Sequence, residues 1–141
     1  KTENCTDLNF DSSAINYCLI YQAVYFKNSS ICKKVRGQID VNDCFSRLAL
    51  VTENSSLCSY ITNAWDDDVQ IAAQQKDDCY FNVAYTKKDY SICANLKTDN
   101  GWFQDYCYWY MADLLKDSQI CNGLSDTGWK DYCKKSIFPT I

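Results

Sequence analysis

The sequence has no histidine, one proline, one methionine and four glycines in 141 residues. Without histidine, the side chain that most often acts as a general base near neutral pH and as a zinc ligand is missing. No apolar run approaches the roughly eighteen residues that a membrane-spanning helix needs. Positive charge is in deficit too: the net charge is −4 and the pI is near 4.7, which disfavours a nucleic-acid partner because phosphate binding needs a clustered cationic face. The three Lys-Lys pairs (33–34, 87–88, 134–135) are far apart and read as solvated helix ends. Neither a GxSxG elbow nor a phosphate-cradling loop occurs, and no cofactor, metal or enzymatic activity is expected.

What is abundant is cysteine. Ten cysteines are spread evenly, none in a CxxC pair, so oxidised pairs are a better reading than a metal site, and they imply a compartment outside the cytosol. The sequence opens at Lys1 with neither an initiator methionine nor an apolar leader, as expected of a secreted chain whose signal peptide has been removed.

The cysteines mark a repeat. Aligned on one set they give NYCLIYQA (16–23), NDCFSRLA (42–49), DDCYFNVA (77–84), DYCYWYMA (105–112) and DYCKKSIF (131–138). Asn16, Asn42, Asp77, Asp105 and Asp131 are residue types that cap helices, so a helix is expected to begin at each. Ala23, Ala49, Ala84 and Ala112 put a small residue where a second helix can cross closely. Aligned on the other set, the cysteines give NSSICKKV (28–35), NSSLCSYI (54–61), DYSICANL (89–96) and DSQICNGL (117–124). Each is an Asn or Asp cap followed by apolar residues on one face of a short second helix. The unit is a helix of about eleven residues, a tight turn and a helix of about seven. Gly101-Trp102 and Gly128-Trp129 precede the last two long helices, where a turn and a packing aromatic are both useful. The longest interval carries an insertion, ITNAWDDDVQIAAQQKDD, in which Asp66, Asp67 and Asp68 favour the start of an extended or additional helix. A calcium loop fits less well, because three consecutive acids lack the alternating spacing and glycine of such a site.

The resulting expectation is an all-α fold, a disulfide-stapled α-solenoid of helical hairpins. It forms one domain over 1–141: a half repeat at 1–15, repeats at about 16–41, 42–76, 77–104 and 105–130, and a half repeat at 131–141. The pattern resembles the tetratricopeptide and Sel1-like α-solenoids and cysteine-rich repeats of secreted microbial proteins, with a shorter period and without the tetratricopeptide Trp-Leu-Gly-Tyr signature. The resemblance implies a scaffold or binding role and supplies no functional residues.

Two orderly cysteine pairings are open. In one, each hairpin closes on itself (Cys18–Cys32, Cys44–Cys58, Cys79–Cys93, Cys107–Cys121), always fourteen residues apart. In the other, each short helix is tied to the next long helix (Cys5–Cys18, Cys32–Cys44, Cys58–Cys79, Cys93–Cys107, Cys121–Cys133), with variable spacing. Constant spacing favours the first, although strictly antiparallel helices would leave its cysteines offset by roughly 8 Å, beyond a relaxed bridge. The first scheme leaves Cys5 and Cys133 over as candidate intersubunit partners. They sit in complementary half repeats, and SIFPTI (136–141) is an apolar tail that could insert into a neighbour's groove. Unclosed head-to-tail contacts generate filaments.

Asn4, Asn28 and Asn54 are N-glycosylation acceptors, which makes N-linked glycans candidate partners. Eleven Tyr, six Phe and four Trp exceed what one buried stripe can hold, so some rings should face a partner subunit or sugar. The leading expectation is a secreted structural protein, the subunit of an extracellular homopolymeric filament. The alternative is a monomeric solenoid that binds peptide or glycan.

Overall fold

The computed structural model describes residues 4–5, 11–62, 69–97 and 101–137, and among them every regular element is helical. Long helices α1 (Ser12–Tyr25), α3 (Gln38–Thr52), α4 (Val69–Lys87) and α5 (Trp102–Leu115) each lead into a short one. The short elements are α2 (Ser29–Cys32) and the 3-10 helices η1 (Ser55–Tyr60), η2 (Tyr90–Asn95) and η3 (Ser118–Gly123); α6 (Thr127–Ser136) closes the order. The chain divides into two compact units, Lys1–Ala72 and Ala73–Ile141. The insertion lengthens α4 to 19 residues. Asp66, Asp67, Asp68 and the tail beyond Ile137 lie outside the described residues.

The turn between long and short helix is built the same way four times. A non-glycine residue in the left-handed region, Lys27, Glu53, Lys88 or Lys116, stops the long helix. The next backbone N–H, of Asn28, Asn54, Asp89 or Asp117, then donates back to the carbonyl of Ala23, Ala49, Ala84 or Ala112 at 2.9–3.1 Å. This is the six-to-one closure of a Schellman turn. The same Asn or Asp turns its side-chain oxygen forward to accept the N–H two residues on, so one residue ends one helix and starts the next. The four alanines have no exposed surface, in keeping with close approach at that position.

Two sequence expectations need correcting. The second element is shorter and tighter than an α-helix of seven residues: in three hairpins it is a six-residue 3-10 helix. Its apolar residue after the cysteine, Ile61, Leu96 or Leu124, is buried on an extended exit and not on the helix itself. Nor do the long helices begin at the repeated Asn or Asp. They begin three to eight residues earlier, at Asp11, Gly37, Gly101 and Asp126 where a cap is described. Gly101 takes φ 87° and makes the turn expected of it, whereas Gly128 lies inside α6.

In the first unit α1 packs on α2 and α3, and α3 on η1, around Leu19, Ile20, Phe45, Leu48, Leu57 and Ile61. In the second, α5 packs on η2 and η3, and α6 on η3, around Val83, Ile92, Leu96, Met111, Ile120 and Leu124.

The disulfides follow the second scheme. Cys5–Cys18, Cys32–Cys44, Cys93–Cys107 and Cys121–Cys133 are bonded, with Cα–Cα distances of 5.6–5.9 Å. Cys58 and Cys79 are disulfide-bonded as well, and no cysteine is free. The self-closing hairpin pairing is therefore wrong, and the reason is axial offset. The long-helix cysteine sits more than one turn before the Schellman closure and the short-helix cysteine just after it, too far apart for the 4.4–6.8 Å span of a relaxed bridge. Cys5 and Cys133 are each satisfied within the chain and are not intersubunit partners.

Candidate interaction surfaces

The repeated Asn or Asp two residues before each long-helix cysteine turns out to be a strut. Asn16, Asn42 and Asp77 are only 5%, 2% and 3% exposed. Each reaches the backbone twenty residues ahead, just past the short helix. Asn16 Oδ1 accepts the Arg36 N–H at 3.0 Å and its Nδ2 donates to the Arg36 carbonyl at 2.6 Å and to Asp40 at 2.6 Å. Asn42 repeats the pattern on Thr62, accepting at 3.2 Å and donating at 2.8 Å. Asp77 accepts the Lys97 N–H at 3.2 Å. Asp105 accepts both the Ser125 N–H at 2.9 Å and the Ser125 hydroxyl at 2.7 Å. The signal was in the sequence as a constant residue type, but a twenty-residue separation gave no local cue to distinguish strut from cap.

These struts and the bridges fix the frame, and most of the large apolar side chains it leaves exposed are aromatic. On α1, Tyr17, Tyr21 and Tyr25 are 72%, 69% and 68% exposed. Their one-turn spacing aligns them on one face, and Tyr21 stacks on Tyr25 with ring centres 6.0 Å apart. Beside them a groove of about 370 Å³ runs between α1 and α3, lined by Ile20, Tyr21, Val24, Leu50 and Val51. The exposed Arg47–Asp43 ion pair, 2.8 Å, stands at its edge.

The second unit carries the same kind of face on α5. Trp102, Tyr106 and Tyr110 follow one another at one-turn intervals, with ring centres about 5.9 Å apart, and Phe81 packs against Tyr106 and Tyr110. Around the helix, Trp109 meets Trp129 and Tyr132 of α6 at 5.6 and 5.3 Å. Trp102, Asp105, Tyr106, Trp109, Leu124 and Trp129 enclose a cleft of about 290 Å³.

The three sequons are all on the surface: Asn4, Asn28 and Asn54 are exposed. Asn28 and Asn54 occupy the hairpin turn, where the side-chain oxygen accepts the N–H of Ser30 or Ser56 at 3.0–3.1 Å and the serine hydroxyl at 2.6 Å. The Lys-Lys pairs fall at or just after the ends of α2, α4 and α6. Among the described residues no group of three or more acids or thiols could hold a metal ion, and no helix is long and apolar enough to cross a membrane.

Comparison of the chain with family models, curated proteins and solved structures returns no match.

Proposed function

We propose that this chain is a secreted structural protein, a tetratricopeptide-like stack of helical hairpins whose copies pack on one another into an extracellular filament. Five disulfides fit an oxidising, extracellular setting. With Cys5 and Cys133 bridged internally, subunits associate through surface packing and not through cystines.

The observation that carries this reading is the tyrosine ladder of α1 beside the α1–α3 groove. Rings that stand largely in water forgo the burial that makes aromatics favourable, and patches of this kind mark association surfaces. Tyrosine suits an interface because it offers a large, rigid contact area with a polar tip. A second copy is the favoured occupant because α5 carries a comparable stripe, Trp102, Tyr106 and Tyr110, able to receive the ladder, whereas the matching positions of α3 hold Asp43 and Arg47.

Asn28 and Asn54 are the proposed glycan sites. Asp89 and Asp117 make the same cap in the other hairpins, so asparagine is not needed for the turn. What it adds is the amide nitrogen to which an N-glycan is attached. Asn28→Asp and Asn54→Asp should remove the glycans while altering stability by less than about 0.5 kcal/mol, since Asn and Asp cap equally well. Intact mass and thermal melts would check both parts.

Light scattering and negative-stain microscopy of the oxidised protein test the assembly. Wild type should form concentration-dependent oligomers that run as one band near 16.3 kDa plus any glycan on a non-reducing denaturing gel. Replacing Tyr17, Tyr21 and Tyr25 together by serine should leave a folded monomer. A wild type that stays monomeric at its highest soluble concentration would refute the proposal.

A further inference from the structure

Three of the chain's four tryptophans, Trp102, Trp109 and Trp129, converge on one cleft between α5 and α6. Trp102 is 67% exposed and Trp129 55%, so neither indole owes its position to the core. Both are nonetheless held. Trp102 stacks on Tyr106 at 5.9 Å with 16° between the planes. Trp129 is propped by Trp109 at 5.6 Å and by the edge of Tyr132 at 5.9 Å. Fixed aromatic faces present contact area at little entropic cost.

The polar side of the cleft is Asp105. Its two oxygens are locked in place by the Ser125 N–H and hydroxyl, and each oxygen keeps one lone pair free. No cation is among the lining residues. A ligand that fits must therefore bring hydrogen-bond donors to a fixed carboxylate and apolar C–H faces to the indoles, and must not be anionic. We propose that this cleft binds a neutral pyranose glycan, with sugar rings laid on Trp102 and Trp129 and hydroxyl groups donating to Asp105.

Two rival ligands fit less well. A proline-rich segment stacks on aromatics but brings few N–H donors, which leaves Asp105 desolvated and unanswered. A quaternary ammonium would be attracted to the rings and to Asp105, but it has no hydrogen-bond donor to offer the carboxylate, and at faces this open the ring attraction is only about 0.5–1 kcal/mol. The volume of about 290 Å³ lies just below that of drug-sized pockets, which suits a short stretch of a longer glycan. The inference does not require filament formation, but Trp102 and Tyr106 also belong to the α5 stripe, so a second copy seated there would compete with sugar.

Isothermal titration calorimetry of the full, oxidised protein with cellohexaose, chitohexaose and mannohexaose tests it, with choline and decaproline as rivals. At least one oligosaccharide should bind saturably with a millimolar or tighter Kd, and Trp102→Ala and Trp129→Ala should each weaken it roughly tenfold. Both side chains are mostly in solvent, and unchanged circular dichroism would show that the variants fold. The Tyr17→Ser, Tyr21→Ser, Tyr25→Ser protein should bind as wild type does. Absence of saturable binding to all three sugars up to about 10 mM would overturn the proposal. So would binding unaffected by both tryptophan variants, or binding of choline or decaproline that no sugar matches.

Discussion

Asn42 and Asp78 show how much a single side chain does in this molecule. Asn42 holds both backbone groups of Thr62 and accepts from Gln38 as well, at 2.9 Å. Asn42→Ala orphans these partners and should cost about 1–3 kcal/mol. Asn42→Asp keeps the acceptor for the Thr62 N–H but points a second oxygen at the Thr62 carbonyl, so it should also destabilise at neutral pH and recover in acid, where the carboxyl can donate. Denaturant melts at two pH values would check this; an aspartate tolerated at neutral pH would mean that the donated half of the strut contributes little, since Asp77 and Asp105 serve at the same repeat position. Asp78 titrates abnormally in the wild type. Partial desolvation on α4, and secondly the neighbouring Asp77, raise its carboxyl above the ordinary 3.8. A carboxyl with a raised folded-state pKa favours the protonated fold, so its contribution is lost as pH rises from the unfolded value through the folded one. Asp78→Asn should therefore raise Tm at neutral pH, and the gain should vanish well below pH 3.8. At this scale the sequence was half legible. The constant Asn or Asp was visible, but capping and strutting ask for the same side-chain chemistry, and only the partner twenty residues away separates them.

Among the elements, the short helices differ in how they meet the long helix they follow, and Gly123 of η3 is the sharpest case. A Cβ on Gly123 would lie 2.4–2.6 Å from the Tyr108 ring of α5, so the ring lies directly against bare backbone. Burial there, and secondly Tyr90, push the Tyr108 phenol above its ordinary pKa of 10.0. In the first unit the same two positions hold Phe45 and Tyr60, which stack at 4.9 Å with 15° between the planes. One hairpin fills the slot ring on ring, the other ring on glycine. Gly123→Ala should cost about 1–3 kcal/mol by overpacking. In a Tyr108→Ala background that penalty should disappear, because the alanine then meets no ring and its φ is unstrained. A double-mutant cycle with no coupling would show that the contact does not matter. Helical hairpins, the Asn and Asp caps of the short helices and the elongated α4 were legible as local patterns of apolar spacing and cap residues, whereas the starts of the long helices were not. The 3-10 geometry was not: it follows from the left-handed stop and the forward cap acting on the same few residues.

For the whole molecule, the decisive term is covalent. The described bridges tie a short helix to the long helix after it, with the cysteines 12–14 positions apart. They therefore hold together segments that a hairpin turn alone would leave hinged. Constant spacing within the hairpin had suggested the opposite pairing, but that constancy comes from the turn: helix end, left-handed residue and forward cap have a set length whether or not sulfur is present. Variation between hairpins is absorbed by the segments that the bridges enclose. Loops of this size each contribute roughly 3 kcal/mol through restriction of the unfolded chain, while a domain's whole stability is about 5–15 kcal/mol. Even with incomplete additivity, five such links outweigh the margin. Reduction should therefore abolish the far-UV helical signal at ambient temperature, in one transition or two, and not merely lower Tm. Proteolytic fragments of the oxidised protein should stay joined as Cys32 with Cys44 and Cys93 with Cys107. A reduced chain that keeps its helices and melts within a few degrees of the oxidised form would mean that the small cores of Leu, Ile and Met suffice alone, and that the cystines serve something other than stability.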